Sequence, residues 1–185
     1  MKVILDANVL YPAPVRDMLL SLANNNMFQP KWSAAINEEW VRNLVANRPD
    51  IKRENTENTI RFMNRAFPDA NTEPYPSTIA ELNLPDPNDQ HVLAAAISAE
   101  AELIVTFNLK DFPPSLLAPR GIEAIHPDDF ILGLIEVDKV TAFDAFEKQV
   151  ARLKNPPLSR DYVLDKLNDC NLPKTAASLR LPHTM

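Results

Sequence analysis

Short apolar runs alternate with helix-like patterns up to about residue 137, and this alternation constrains the fold more than any other feature. The runs Val3-Ile4-Leu5, ELIVTF at 102–107 and IEAI at 122–125 have the length of strands, and so does the less apolar MFQPKW at 27–32. The segments between them repeat apolar residues at helical spacing. Strands that alternate with helices form parallel sheets with helices on both faces. The sequence therefore predicts a three-layer α/β/α sandwich around a central parallel sheet.

The alternation stops near residue 138, and only helical patterns follow. We therefore predict two domains, an α/β domain at 1–137 and a helical extension at 138–185. The apolar periodicity of the extension indicates that it packs on the core or on a partner.

Glycine and histidine usage excludes several common classes of enzyme. With only Gly121 and Gly133, the chain has no GxGxxG dinucleotide loop, no phosphate-binding P-loop and no GxSxG nucleophile elbow. We therefore expect no nucleotide cofactor. The histidines His91, His126 and His183 lack the spacing of zinc ligands, which argues against a zinc site.

Cysteine content and charge bear on location and partners. The single cysteine, Cys170, fits a reducing cytoplasm. The sequence shows neither a leader nor an apolar stretch of about 18 residues, so we expect a cytoplasmic protein that does not enter a membrane. At a net charge of −6, binding to nucleic acid would need a local basic patch.

Asp6 directly follows the first apolar run. A run this apolar is typical of a central parallel strand. In open α/β sheets, ligands bind at the edge where such strands end. Asp6 is therefore a candidate site residue.

Asp89 precedes an apolar helix, and Asp86 is the predicted N-cap of that helix. At about 100° per residue, Asp89 falls in the middle of the stripe formed by Val92, Leu93 and Ala96, so it faces the core. A buried carboxylate is costly unless it is paired, hydrogen-bonded or bound to a metal. We assign Asp89 to function and Asp86 to structure.

Helical geometry also separates two adjacent glutamates. In the helix INEEWVRNL at 36–44, Glu39 falls at the border of the apolar face, whereas Glu38 points to solvent. Glu39 is the better candidate for the site.

A fourth acidic position follows the strand ELIVTF. Asn108 lies closer to the strand end and Asp111 carries the charge, and we favour Asp111. Asn8 and Thr106 are candidate hydrogen-bonding supports, with ordinary turn and strand roles as the alternative.

Gathered carboxylates repel one another and raise each other's pKa. Hard divalent cations resolve that cost, because Mg²⁺ and Mn²⁺ prefer oxygen ligands. Such an ion can acidify water and shield a phosphodiester. The chemistry that fits these residues is metal-assisted phosphodiester hydrolysis.

The order of four motifs resembles the PIN-domain ribonucleases, most closely the bacterial group related to VapC-type toxins. These motifs are LDANVLYP, WSAAINEEWVRNL, LPDPNDQHVLAAAI and IVTFNLKDFP. The resemblance covers residues 2 to about 130. It implies a sheet of about five strands, an acidic pocket that binds Mg²⁺ or Mn²⁺, and RNA cleavage that leaves a 5′-phosphate and a 3′-hydroxyl. It also implies a homodimer and a cognate antitoxin.

The resemblance assigns roles by position. Asp6 and Asp89 would hold the main ion, and Glu39 would orient or deprotonate the attacking water or help to hold the ion. The fourth position varies in the family. Asp111, together with Asn108, would steady a second ion near the leaving oxygen.

The best candidate segment for binding RNA is 42–65, which contains six basic residues and three acidic ones. We predict phosphate contacts from Arg42, Arg48, Lys52 and Arg53. The alternative is a solvated helix face with ordinary salt bridges.

Three rival functions remain to be weighed. A haloacid-dehalogenase-type phosphatase needs an aspartate two positions after Asp6, where this chain has Asn8. That argues against the phosphatase. A PIN-like binding module without turnover and a DNA-directed nuclease of related fold stay open.

Overall fold

A four-stranded parallel sheet forms the centre of the α/β region. The structure is a computed structural model that describes residues 1–74, 77–78 and 82–181. Within these residues the strand order is β2-β1-β3-β4. The strands are β1 (Lys2–Leu5), β2 (Gln29–Lys31), β3 (Leu103–Val105) and β4 (Glu123–Ile125).

The described sheet has one strand fewer than the five that the resemblance implies. Beyond the end of β2, Trp32 and Asn71 form an isolated parallel bridge. Trp32 N donates to Ala70 O and Thr72 N donates to Trp32 O, at 3.0 and 2.8 Å. Pro74 follows two residues later, and proline has no N–H to extend such a ladder. The remaining prediction, an α/β fold with a parallel sheet and a helical C-terminal region, is confirmed.

Strand register brings the candidate residues to one edge of the sheet. Leu5 pairs with Val105, and Val105 pairs with Ile125, so three strands end side by side. The ladder runs one residue further, because Asp6 N donates to Val105 O at 3.1 Å and Thr106 N donates to Ile125 O at 3.0 Å. Asp6 and Thr106 therefore share the carboxyl edge of the sheet.

The chain forms two compact units, and the first contains the sheet. This unit comprises Met1–Tyr11 and Gln29–Ile125. Its described α-helices are α1 (Ala7–Leu10), α3 (Ala34–Asn47), α4 (Arg53–Ala66), α5 (Gln90–Ala99) and α6 (Pro114–Leu117). Helix α5 packs on β1 and β3, while α3 packs on α1, α4 and α5.

The second unit is helical and comprises Pro12–Phe28 and His126–Met185. Its described helices are α2 (Ala13–Asn24), α7 (Pro127–Val137), α8 (Lys139–Arg152), α9 (Arg160–Asp169) and α10 (Pro173–Arg180). Helix α2 packs on α8, and α10 packs on α7 and α9. Phe28 and Phe130 meet edge to face with their ring centroids 5.1 Å apart.

These units differ from the predicted division into 1–137 and 138–185. Helix α2 follows β1 in sequence but packs with the C-terminal helices, and α7 also belongs to that unit. The boundary at residue 137 stays a prediction about domains.

Local signals in the sequence agree with the observed helix ends. Ser33, the predicted N-cap of α3, accepts a hydrogen bond from Ile36 N at 3.2 Å. The helix predicted at roughly 52–67 is α4. Of the proline-rich connection predicted at 68–87, residues 75, 76 and 79–81 lie outside the described residues.

In the part of the chain that the structure describes, no helix is both long enough and apolar enough to cross a bilayer.

Candidate active site

Asp6 is buried at the carboxyl edge of β1, with 3% of its surface exposed. Its Oδ1 accepts a hydrogen bond from Ala7 N at 2.6 Å, and this bond caps α1. Its Oδ2 accepts from Asn8 Nδ2 at 2.6 Å and from Thr106 Oγ1 at 2.7 Å. Three donors therefore fix the orientation of the carboxylate.

Asn8 and Thr106 both hydrogen-bond to Asp6, and their predicted role as supports of a functional site stays a prediction. Asn8 Nδ2 also donates to Thr106 Oγ1 at 2.9 Å, and Asn8 Oδ1 accepts from Phe107 N at 3.1 Å. Thr106 Oγ1 in turn accepts from Asn108 N at 3.0 Å. These bonds join the ends of β1 and β3 beneath Asp6.

The helical periodicity placed Asp89 on the α-helix, and this prediction is wrong. Asp89 lies in a short 3₁₀ turn (Pro87–Asp89) that leads into α5. Pro87 opens the turn, and Asp86 caps it by accepting from Asn88 N at 2.9 Å. Asp89 is half-buried, and its Oδ2 atom is inaccessible to solvent. Among the described residues, no group donates a hydrogen bond to that oxygen.

Asp89 and two further aspartates come close together. One carboxylate oxygen each from Asp86, Asp89 and Asp111 lies within 4.8 Å of the others. Asn108 Nδ2 donates to Asp111 Oδ2, so the two candidates for the fourth position contact each other. Asp111 is the one that belongs to the cluster, and the choice between them stays a prediction.

Glu39 on α3 is not one of the three clustered aspartates, but it lies within electrostatic reach of Asp89 and Asp86. It is half-buried, whereas Glu38 is exposed and forms an ion pair with Arg53 at 2.5 Å, as the helical geometry predicts. Glu39 Oε2 lies 3.1 Å from His91 Nε2. His91 projects from the first turn of α5, two residues after Asp89.

Burial and mutual repulsion raise the pKa values of several acids at this site. Burial, followed by the charges of Asp6, Asp86 and Asp111, raises the pKa of Asp89 to about 7. Burial also raises the pKa of Asp6 to about 6, with the charge of Glu39 adding to the effect and the hydrogen bond from Thr106 opposing it. Burial and the charge of Asp89 raise the pKa of Glu39. The four predicted acids are thus coupled electrostatically, directly or through one another.

The predicted RNA-binding residues are in mixed environments. Arg48 pairs with Asp50 at 2.7 Å, and Arg53 pairs with Glu57 as well as Glu38. Arg42 is exposed on α3, and its charge acts on Glu39. Of the four basic residues, Arg42 acts on the acidic site, because its charge opposes the rise in the pKa of Glu39.

Sequence reasoning missed two residues of this constellation. Asp86 is the N-cap that was predicted. It also contributes a carboxylate oxygen to the cluster with Asp89 and Asp111, so a capping role does not exclude a place in the cluster. From the sequence, His91 is weighed only as a possible zinc ligand, and that role is rejected because of the spacing of the histidines. A histidine on an otherwise apolar helix face gives no signal for a partner on another helix.

Comparison with known proteins defines the class. The model of the PIN domain family matches residues 2–110, which is more than half of the chain. The chain belongs to the PIN domain family. A second model, the VapC50 C-terminal domain, matches residues 127–181.

A relative is found in Mycobacterium tuberculosis (strain ATCC 25618 / H37Rv), under the name "Putative ribonuclease VapC50". The two sequences are 40% identical over 92 residues, which is 50% of this chain and 54% of the relative. The match therefore spans about half the length of each protein. No solved structure matches the chain.

Proposed function

We propose that the chain is a metal-dependent endoribonuclease that hydrolyses RNA phosphodiester bonds at the acidic site. One observation carries the proposal: a solvent-inaccessible oxygen of Asp89 has no hydrogen-bond donor among the described residues, beside two further aspartates. A buried carboxylate in that state is costly unless something positive binds it. PIN-family membership and a relative named as a ribonuclease supply the kind of substrate.

The donor set fits a hard divalent cation. Asp86, Asp89 and Asp111 each offer a carboxylate oxygen within 4.8 Å of the others, and Mg²⁺ and Mn²⁺ prefer oxygen ligands. Asp6 and Glu39 lie within electrostatic reach of Asp89. The raised pKa values of Asp6 and Asp89 point the same way, because a dication favours the ionised carboxylates that burial disfavours. Asp6 and Asp89 would hold the ion, and Asp111 would hold a second one if two are needed.

The chain's own residues account for positioning and proton transfer. Asp6 is held by Thr106 and Asn8, so its orientation does not depend on the ligand. Glu39, whose pKa is raised by burial and by the charge of Asp89, accepts the proton of the attacking water. A divalent ion held there supplies positive charge that acidifies water and offsets the charge developing on the phosphodiester.

The reaction needs no covalent intermediate. The water oxygen bonds to phosphorus, the bond from phosphorus to the 3′ oxygen breaks, and the 3′ oxygen takes a proton. The products carry a 5′-phosphate and a 3′-hydroxyl. Arg42 on α3, the basic residue linked to the site through Glu39, would contact the RNA backbone, with Arg48, Lys52 and Arg53 further along.

We propose in addition that the chain is the toxin of a toxin–antitoxin pair, works as a homodimer in the cytoplasm, and is silenced by a cognate antitoxin protein. This proposal rests on the likeness to the VapC-type group. Growth arrest on expression of the chain alone, relieved by the product of the neighbouring gene, would support it.

Labelled RNA and DNA oligonucleotides, incubated with Mg²⁺, Mn²⁺ or EDTA, test the nuclease proposal. We expect RNA cleavage with either ion, none with EDTA, and none by Asp6→Asn. Cleavage of DNA alone would assign the chain to the DNA-directed alternative. RNA binding without cleavage under every condition would assign it to the binding modules.

A further inference from the structure

His91 places a ring nitrogen within hydrogen-bonding distance of the Glu39 carboxylate. Its Nε2 lies 3.1 Å from Glu39 Oε2, and the two side chains are 16% and 28% exposed. The contact joins α5 to α3, two helices that pack on each other. Among the described residues, no hydrogen bond from another group to the Glu39 carboxylate accompanies this contact.

The surroundings of the imidazole indicate which nitrogen carries the proton. His91 Nδ1 is buried and has no hydrogen-bond partner among the described residues. A buried N–H without an acceptor is costly, whereas an N–H on Nε2 has the carboxylate to donate to. The favoured form is therefore the neutral imidazole with its proton on Nε2.

A neutral donor suits a site built to capture a cation. A lysine or arginine in this position would add a permanent positive charge and would compete with the ion for the carboxylates. A neutral N–H holds one carboxylate oxygen while leaving the negative charge of the cluster intact. Groups that orient metal ligands from behind typically alter metal affinity about 10- to 100-fold when removed.

We propose that His91 is a positioning residue that holds Glu39 at the acidic site through its Nε2–H and thereby sets the affinity for the divalent ion. This inference rests on the proposed function. It assigns His91 no contact with substrate or reacting atoms.

Two substitutions separate the hydrogen bond from the shape of the side chain. His91→Gln keeps an N–H donor at a similar reach, and His91→Leu fills similar space without a donor. We expect His91→Leu to weaken Mn²⁺ binding about 10-fold or more in calorimetry. His91→Gln should stay within about threefold of the unmodified protein, because the charge-assisted bond is kept. Equal losses in both variants, or no loss in His91→Leu, would overturn the inference.

The metal-free protein offers a readout that does not depend on the ion. In ¹H–¹⁵N spectra of histidine-labelled protein, we expect the proton of His91 on Nε2 in the unmodified chain. We expect this preference to be lost in Glu39→Ala. A proton on Nδ1 in the unmodified chain would overturn the inference even if Mn²⁺ binds. If the unmodified protein binds no Mn²⁺ and cleaves no RNA, the proposed function fails first, and this inference fails with it.

Discussion

Asp6 in the first unit and Asp128 in the second are buried to the same extent, with 3% of each residue exposed. Both accept several short hydrogen bonds. Asp128, on α7, accepts from Lys174 N at 3.0 Å and from Thr175 N at 2.8 Å. Those two N–H groups lie in the first turn of α10, where no helical partner exists for them. Asp128 therefore caps a second helix from outside.

The difference between the two aspartates lies in the groups around them. The oxygens of Asp128 accept hydrogen bonds from backbone N–H groups. The next residue, Asp129, forms an ion pair with Lys174, with Nζ and Oδ1 2.5 Å apart. Asp6 stands among other acids, with Asp89 and Glu39 within electrostatic reach. Equal burial thus accompanies helix capping in one unit and a cluster of interacting acids in the other. Charge context, and not burial, marks the candidate active site.

The largest effect should be on catalysis, and it should separate the two aspartates completely. Asp6→Asn and Asp89→Asn each remove a charge that the divalent ion needs, so RNA cleavage should fall about 100-fold or more. Asp128→Asn should retain full activity per folded molecule. Circular dichroism checks that all three variants are folded. Unchanged cleavage by either site variant would remove that residue from the proposed metal ligands.

The fold was largely predictable from sequence because its signals are local. The apolar runs and turn residues located β1, β3 and β4, and the Ser33 cap and helical spacing located α3. The rule that ligands bind where parallel strands end placed Asp6 and Thr106 together. What the sequence could not show was the partner of α2, since an apolar stripe reveals burial but not the surface that covers it.

The site was predictable to a lesser degree, for two physical reasons. A helical wheel drawn at about 100° per residue does not describe Asp89, because a 3₁₀ turn advances about 120° per residue. Pro87 opens that turn, so the proline was the available signal. The contact of His91 with Glu39 joins helices that are far apart in sequence, and no local pattern reports such a contact.

The next effect is on stability and depends on pH and metal. Asp6 and Asp89, with pKa values of about 6 and about 7, keep protons in the folded protein that the unfolded chain releases near its ordinary 3.8. The folded state thus binds more protons between pH 4 and 7, so the free energy of unfolding falls as pH rises through this window. For Asp6 the loss is at most on the order of 3 kcal/mol.

Urea unfolding at pH 5 and pH 8, with Mg²⁺ or with EDTA, measures this loss. Metal should restore stability at pH 8 and have little effect at pH 5, where protons compete with it for the carboxylates. Asp6→Asn should flatten the pH dependence and abolish the gain from metal, while Asp128→Asn should change neither. A metal-free protein that becomes more stable between pH 5 and 8 would contradict the picture of a strained acidic site.

A smaller effect should follow from removing the helix cap. Asp128→Ala leaves the N–H groups of Lys174 and Thr175 without their acceptor, so we expect a loss of about 1–2 kcal/mol in the free energy of unfolding. The loss should be the same with Mg²⁺ and with EDTA, because no acid of the metal site is involved. A cost that appears only in the presence of metal would contradict the assignment of Asp128 to structure.

The smallest effect should come from Asp129, the exposed neighbour of Asp128. Its carboxylate pairs with Lys174 Nζ in solvent, and exposed pairs of this kind contribute about 0–1 kcal/mol. Asp129→Asn should therefore shift the urea midpoint much less than Asp128→Ala, and added salt should erase the difference from the unmodified protein. Equal costs for the two variants would mean that the charge of Lys174, and not the backbone N–H groups, anchors α10. Asp129, through its ion pair with Lys174, would then hold α10 in place instead of Asp128.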